Sequence, residues 1–178
     1  MRSMVSTLWG AMAQRALSKQ DAESSTQRSA LADGSTCYRC LKFTQVVTRL
    51  APGHLLLTGI GYNSGESAPL ITADMGHEIP KDGKLSVYVN LSAETGQTSA
   101  AREWWADWVK LHRPKLNSTH FLVRSRIMEM AISVLGMIVG GGNIKAYSSE
   151  ANFIAIVAEN VPGFRQLPSF PDLPPMLK

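Results

Sequence analysis

Few side chains in this sequence are spaced for chemistry. Cys37 and Cys40 enclose Tyr38 and Arg39, which is the spacing of a redox dithiol or of half a zinc site. A redox pair needs a helix N-terminus to lower the thiol pKa, and this pair precedes a predicted strand. His54 and His77 stand at no zinc-finger spacing from it. The two cysteines therefore read as ordinary reduced thiols of an intracellular protein. Asp74, His77 and Glu78 bring together two carboxylates and an imidazole, the ingredients of an acid–base or metal site. They fall between glycine and proline in a stretch that reads as a solvated loop. Gly59-Ile60-Gly61 starts a phosphate-loop pattern that fails at Ser64, with no helix predicted after it. Asn90-Leu91-Ser92 and Asn117-Ser118-Thr119 match the glycosylation pattern, one inside a predicted strand and the other at a predicted helix cap. The expectation is no catalytic residue, no metal, no cofactor and no enzyme.

The basic residues offer more. Arg102, Lys110, Arg113, Lys115, Arg124 and Arg126 are opposed in the same stretch by Glu103 and Asp107, in a chain of net charge +4. If the elements carrying them are adjacent, they form one basic surface. Near an acidic membrane each cation contributes on the order of 1 kcal/mol. The same surface would bind phosphates with strong salt dependence, or serve as a solvated face that keeps the protein in solution. Trp104, Trp105 and Trp108 lie among these charges on one helix. They read mostly as core, with room for one to anchor a partner.

The elements that must position these residues follow from periodicity. At 178 residues and 44% hydrophobic content, one domain with tails is expected. Residues 1–36 form an arm: an amphipathic helix over 1–19 and a polar linker over 20–36. Met4, Leu8, Trp9 and Met12 on the helix provide its membrane- or neighbour-facing side. Ser6, Thr7 and Gly10 interrupt its apolar stretch, which argues against a secretory signal despite Ala11-Met12-Ala13. The core spans 37–160. Strands are predicted over 41–50, 55–60, 69–72 and 84–91, the last with Leu85, Val87, Val89 and Leu91 alternating against polar partners. A helix over 99–112, capped by Thr98 or Ser99, is followed by a second running from near Asn117 to Val139. Residues 144–147 and 153–157 read as a closing hairpin. Prolines at 162, 168, 171, 174 and 175 make 161–178 an extended tail. The predicted fold is α+β: an antiparallel sheet with two or three helices packed on one side, a terminal hairpin, a flexible N-terminal arm and a Pro-rich C-terminal tail. No run of about 18 apolar residues is present to span a membrane.

The stretch from Pro80 to Val157 resembles the core of rhabdovirus matrix proteins of the short, plant-infecting type. The matching pieces are the strand led by Gly83-Lys84, the polar link Thr95–Ser99, the tryptophan helix, the apolar run Ile127–Val139 and the segment Ile144–Val157. The resemblance implies a viral structural protein that polymerises with itself, condenses the nucleocapsid and ties it to the inner face of the envelope, in the virion and in the host cytoplasm, at the inner membrane face or in the nucleus. It departs from the family in lacking a Lys-rich N-terminus and a Pro-Pro-x-Tyr motif. The alternative is an intracellular or phage accessory module that binds nucleic acid through the 102–126 basic surface.

Overall fold

The polar residues that alternate along 85–90 turn out to be as buried as the apolar ones. Ser86, Tyr88 and Asn90 are 1%, 0% and 4% exposed, beside Leu85, Val87 and Val89 at 0%, 3% and 9%. A strand dry on both faces belongs in a sheet covered on both sides, the usual setting of parallel strands joined by helical crossovers. The computed structural model, which describes residues 26–81, 83–140 and 143–169, has this arrangement.

Its sheet is seven-stranded and follows the chain: β1 (Gln27–Ala30), β2 (Thr36–Arg39), β3 (Phe43–Ala51), β4 (His54–Asn63), β5 (Leu85–Gln97), β6 (Leu116–Leu122) and β7 (Ile144–Tyr147). β1 to β4 pair antiparallel, and β4 to β7 pair parallel. Each parallel step is made through a helix. These are α1 (Ala68–His77), α2 (Ser99–His112, continued by a 3-10 turn at Arg113–Lys115) and α3 (Arg126–Gly140); α4 (Glu150–Asn160) follows β7.

This corrects the expected antiparallel sheet with two or three helices on one side. Residues 69–72 open α1 instead of forming a strand, with Pro69 in the first turn, where a missing N–H costs nothing. Residues 116–122, expected within a long helix, are β6; the polar Asn117, Ser118 and Thr119 that read as a helix cap lie in the strand, and the cap of α3 is Ser125, whose hydroxyl accepts the Met128 N–H at 3.3 Å. Residues 153–157, expected as the second arm of a hairpin, belong to α4. Ser149 caps it by accepting the Asn152 N–H at 3.4 Å, and Phe153, Ile156 and Val157 make its inner face. The expected linker contains β1, which pairs with β2 from Gln27↔Arg39 to Ala30↔Thr36. Residues 1–25, including Met4, Leu8, Trp9 and Met12, lie outside the described residues.

Two cores result. On one face Leu55, Leu57, Val87 and Val89 pack against Ile71 and Met75 of α1 and Trp108 of α2. On the other, Leu56, Tyr88 and Leu122 pack against Phe153 and Val157 of α4, joined by Val161, Phe164 and Leu167 of the segment that follows.

Candidate functional site

The first of these faces is incompletely filled. Between the sheet, α2 and α3 lies a cavity of about 480 Å³, walled by Leu57, Val87, Val89, Val109, Phe121 and Ile132. Trp105 and Trp108 also line it, and the exposed Arg102 and Lys110 stand where it meets solvent. Its size is that of a small-molecule site. Gly136 of α3 and Ile144 of β7 close one side. A Cβ at Gly136 would come within 2.8 Å of the Ile144 carbonyl oxygen, so the close approach of α3 to β7 requires glycine there.

The polar end is made by an irregularity in β5. The parallel pairing runs Thr58↔Asn90 and then Ile60↔Ala93, and later Gly61↔Glu94 and then Tyr62↔Gly96. Extra residues on β5 reverse which face its side chains take, since facing alternates with every residue. Val87, Val89 and Leu91 line the cavity, and beyond the first shift so does Glu94, then Gln97 beyond the second. The first shift is fixed by side chains: Asn90 Oδ1 accepts from the Ser92 N–H at 3.0 Å and from its hydroxyl at 2.7 Å. Arg124 Nε donates to the Ser92 carbonyl at 2.6 Å.

Glu94 and Gln45 both neighbour Gly59. Gln45 is the cross-strand partner of Gly59, and a Cβ on Gly59 would lie 3.3 Å from Glu94 Oε2. Burial pushes the Glu94 carboxyl up to about 7. Among the described residues, the buried side-chain polar atoms without a hydrogen-bond partner are Gln45 Oε1, Glu94 Oε2 and Trp108 Nε1, and all three residues line this cavity. Native interiors rarely leave such atoms unpaired. Their concentration at one cavity marks it as the candidate site.

The residues singled out from the sequence fall elsewhere or take structural parts. The six cations divide between two ends of the parallel strands. Arg102, Arg124 and Arg126 stand near the carboxyl ends of β5 and β6; Lys110, Arg113 and Lys115 stand at the opposite edge, where α2 ends and β6 begins. Along α2, Arg102 and Lys110 are about 12 Å apart at 1.5 Å per residue, and Arg113 and Lys115 lie further on. Arg102 also donates to the Gln97 carbonyl at 3.1 Å, and Lys110 lies 3.7 Å from Asp107. The six cations are thus spread over two ends of the strands, with Arg102 and Lys110 both at the cavity. Trp108 is buried, Trp105 is half-buried at the cavity, and Trp104 donates to Thr72 Oγ1 at 3.2 Å, linking α2 to α1. Asp74 and His77 are helical, not in a loop; Asp74 takes an ion pair from Arg28 at 2.8 Å and the Tyr38 hydroxyl, while Glu78 pairs with Arg49. Cys37 and Cys40 are buried free thiols whose pKa values burial raises.

The sequence reading missed Gln45 and Glu94. Their visible signal was a carboxylate three residues past a strict alternation, at a point where polar residues and glycine suggested a loop.

No protein-family model matches the sequence, and no curated protein matches it. Among solved structures, the chain is similar to an uncharacterized protein of the DUF3478 family with a SpoIIAA-like fold from Shewanella loihica PV-4. That match has 12% identity and a TM-score of 0.52, and covers 65% of this chain and 93% of the other. A second is an anti-sigma factor antagonist from Mycobacterium paratuberculosis, at 16% identity and a TM-score of 0.45, covering 72% of this chain and 98% of that one. The first likeness makes the fold SpoIIAA-like. It overturns the resemblance to rhabdovirus matrix proteins, which rested on an order of elements that the structure does not contain. With it fall the matrix function, the self-polymerising, nucleocapsid and acidic-membrane partners, and the virion setting. The nucleic-acid alternative loses its support with the divided basic residues.

Proposed function

We propose that this protein is a non-catalytic binding protein that holds a small, largely apolar molecule in the cavity between the sheet, α2 and α3. The observation that carries the reading is the coincidence of the cavity with Gln45 Oε1, Glu94 Oε2 and Trp108 Nε1. Leaving a buried polar group unpaired costs about 1–3 kcal/mol, so a ligand that pairs even one of them recovers binding energy beyond its apolar burial. Most of the walls are aliphatic and aromatic side chains, which bind by burial.

The anti-sigma factor antagonist among the structures of similar shape suggests regulation as a context, one that fits a module whose ligand alters its own stability. Small aromatic fragments, followed by ligand-observed NMR, test the reading. They should bind saturably to the wild type and lose binding in Ala106→Trp, which fills the cavity from α2. Absence of saturable binding to the wild type would refute it.

A further inference from the structure

The cavity has a chemical direction. Its lining holds two buried acceptors, Gln45 Oε1 and Glu94 Oε2, that no protein donor reaches, and both residues neighbour Gly59, Gln45 as its cross-strand partner and Glu94 Oε2 at 3.3 Å from where a Cβ would stand. Of the two cations in the lining, Arg102 donates to the Gln97 carbonyl and Lys110 lies 3.7 Å from Asp107. Most of the remaining lining is aromatic and aliphatic, with Trp105, Val109 and Phe121 among it, beside the polar Asn63, Gln97, Lys110 and Thr119. Resting on the binding reading above, we infer that the ligand is a compact apolar molecule carrying one hydrogen-bond-donating head, a hydroxyl or an amine, which sits between Gln45 and Glu94 with its body along Trp105, Val109 and Phe121.

A Cβ on Gly59 would stand 3.2 Å from Phe43 Cζ and 3.3 Å from Glu94 Oε2, so glycine at this position lets the Glu94 carboxyl keep its place at the cavity. A head without a donor gains nothing at this end, because it leaves both acceptors desolvated and unpaired, and such mismatches are rejected more strongly than a lost methylene. Of the two heads, an ammonium donates to both acceptors and supplies a counter-charge for the carboxylate. A hydroxyl donates once and can accept from Glu94 when that group is protonated.

Three probes with one body separate the possibilities: ethylbenzene, 2-phenylethanol and 2-phenylethylamine, titrated into the full chain by tryptophan fluorescence and ligand-observed NMR. The two headed probes should bind at least about tenfold more tightly than ethylbenzene, a margin worth roughly 1.4 kcal/mol. Glu94→Gln, close to isosteric and still an acceptor, should weaken the amine selectively and leave the alcohol within a few-fold if the hydroxyl is the native head. An equal loss of both would assign the charge a general role and defeat the donor-head geometry. Ethylbenzene binding as tightly as the headed probes would overturn the inference while leaving the binding reading intact. Failure of all three would overturn both.

Discussion

Asn90 holds Ser92 by two hydrogen bonds to a single oxygen, and that local grip decides where Glu94 points two residues further on. Asn90 is 4% exposed, on the α4 side of β5, yet its effect is felt in the cavity on the opposite side. Asn90→Ala removes both acceptor contacts and leaves the Ser92 N–H unpaired. The expected cost is about 1–3 kcal/mol in chemical denaturation. With the bulge released, Glu94 should regain water, and its carboxyl should titrate closer to an ordinary carboxylate when followed by ¹³C NMR. A variant that loses stability but keeps the raised Glu94 titration would dissociate the bulge from the site.

Arg124 reaches the same bulge from the connection between β6 and α3. Its Nε–H donates to the Ser92 carbonyl, so the side chain acts here as a fastener. Arg124→Gln should reproduce part of the Asn90→Ala effect on Glu94, and the two together should cost less than the sum of each, because they share one structural target. A double-mutant cycle in urea measures that shortfall; strict additivity would mean they act on separate features.

His120 and Glu94 oppose each other in acid. Burial, with Lys145 adding to it, lowers the His120 pKa to about 4, and the ring is held 3.1 Å from the Tyr147 hydroxyl in a stack with Tyr88. The unfolded chain binds a proton on this residue below about 6.5 while the folded one resists until about 4, so His120 makes stability fall as pH drops through that window. Glu94 has the reverse sign. Folded, it keeps its proton up to about 7; unfolded, it loses it near 4.3. Its contribution is therefore full below the unfolded value and lost as pH rises through 7. Between about 4.5 and 6.5 the two slopes cancel. Glu94→Gln should expose the His120 slope, with denaturation midpoints climbing as pH rises from 4.5 to 6.5. His120→Asn should expose the opposite slope. Parallel curves for wild type and Glu94→Gln would show that Glu94 is not held neutral.

These residues also show how far the sequence could be followed. The helix over 99–112 and its Thr98 cap appear as expected, with Thr98 Oγ1 accepting the Ala101 N–H at 3.1 Å, because a polar cap, a period of 3.6 and a proline stop all agree there. Strands at 43–51, 54–63 and 144–147 lie close to their expected places. The errors share one cause. Burial on both faces of β5 and β6 removes the contrast between sides that identifies a strand and its layer. Ser86, Asn90, Thr119 and His120 look solvent-facing by type but are buried between helices. The site escaped for a related reason. Glu94 faces the cavity only because β5 slips register beyond Asn90, and although Asn90 and Ser92 that hold the slip are local, neither residue type by itself announces a bulge inside a strand.

The Tyr38 hydroxyl anchors Asp74 of α1 to β2, and Arg28 of β1 completes the group. Tyr38 is 1% exposed, and burial together with Asp74 pushes its pKa up to about 12. Removing the carboxylate leaves that hydroxyl buried without its acceptor, whereas removing the hydroxyl leaves Asp74 still paired with Arg28. Asp74→Ala should therefore destabilise by about 1–3 kcal/mol and exceed Tyr38→Phe, whose ring still fills the core. Thermal or urea denaturation of both variants checks the order, and the reverse order would place the main support of Asp74 at the Tyr38 hydroxyl and not at Arg28.

One substitution made at two helical glycines should act with opposite sign. Gly76, near the end of α1, has nothing within 4 Å of where a Cβ would stand. Gly76→Ala then meets no obstacle and restricts the unfolded chain, stabilising by roughly 0.5 kcal/mol. Gly136 in α3 faces the Ile144 backbone oxygen at 2.8 Å and Ile144 Cβ at 2.9 Å, and neither can swing aside as a flexible side-chain tip could. Gly136→Ala must push α3 away from β7, at about 1–3 kcal/mol for overpacking. Since both Gly136 and Ile144 line the cavity, the same displacement should widen it, and a fragment that binds the wild type should bind the variant several-fold more weakly. Gly76→Ala, distant from that wall, should leave its affinity unchanged. Measuring stability and fragment affinity on both variants separates the two effects: a destabilised Gly136→Ala with unaltered affinity would mean that the α3–β7 contact supports the fold without shaping the site.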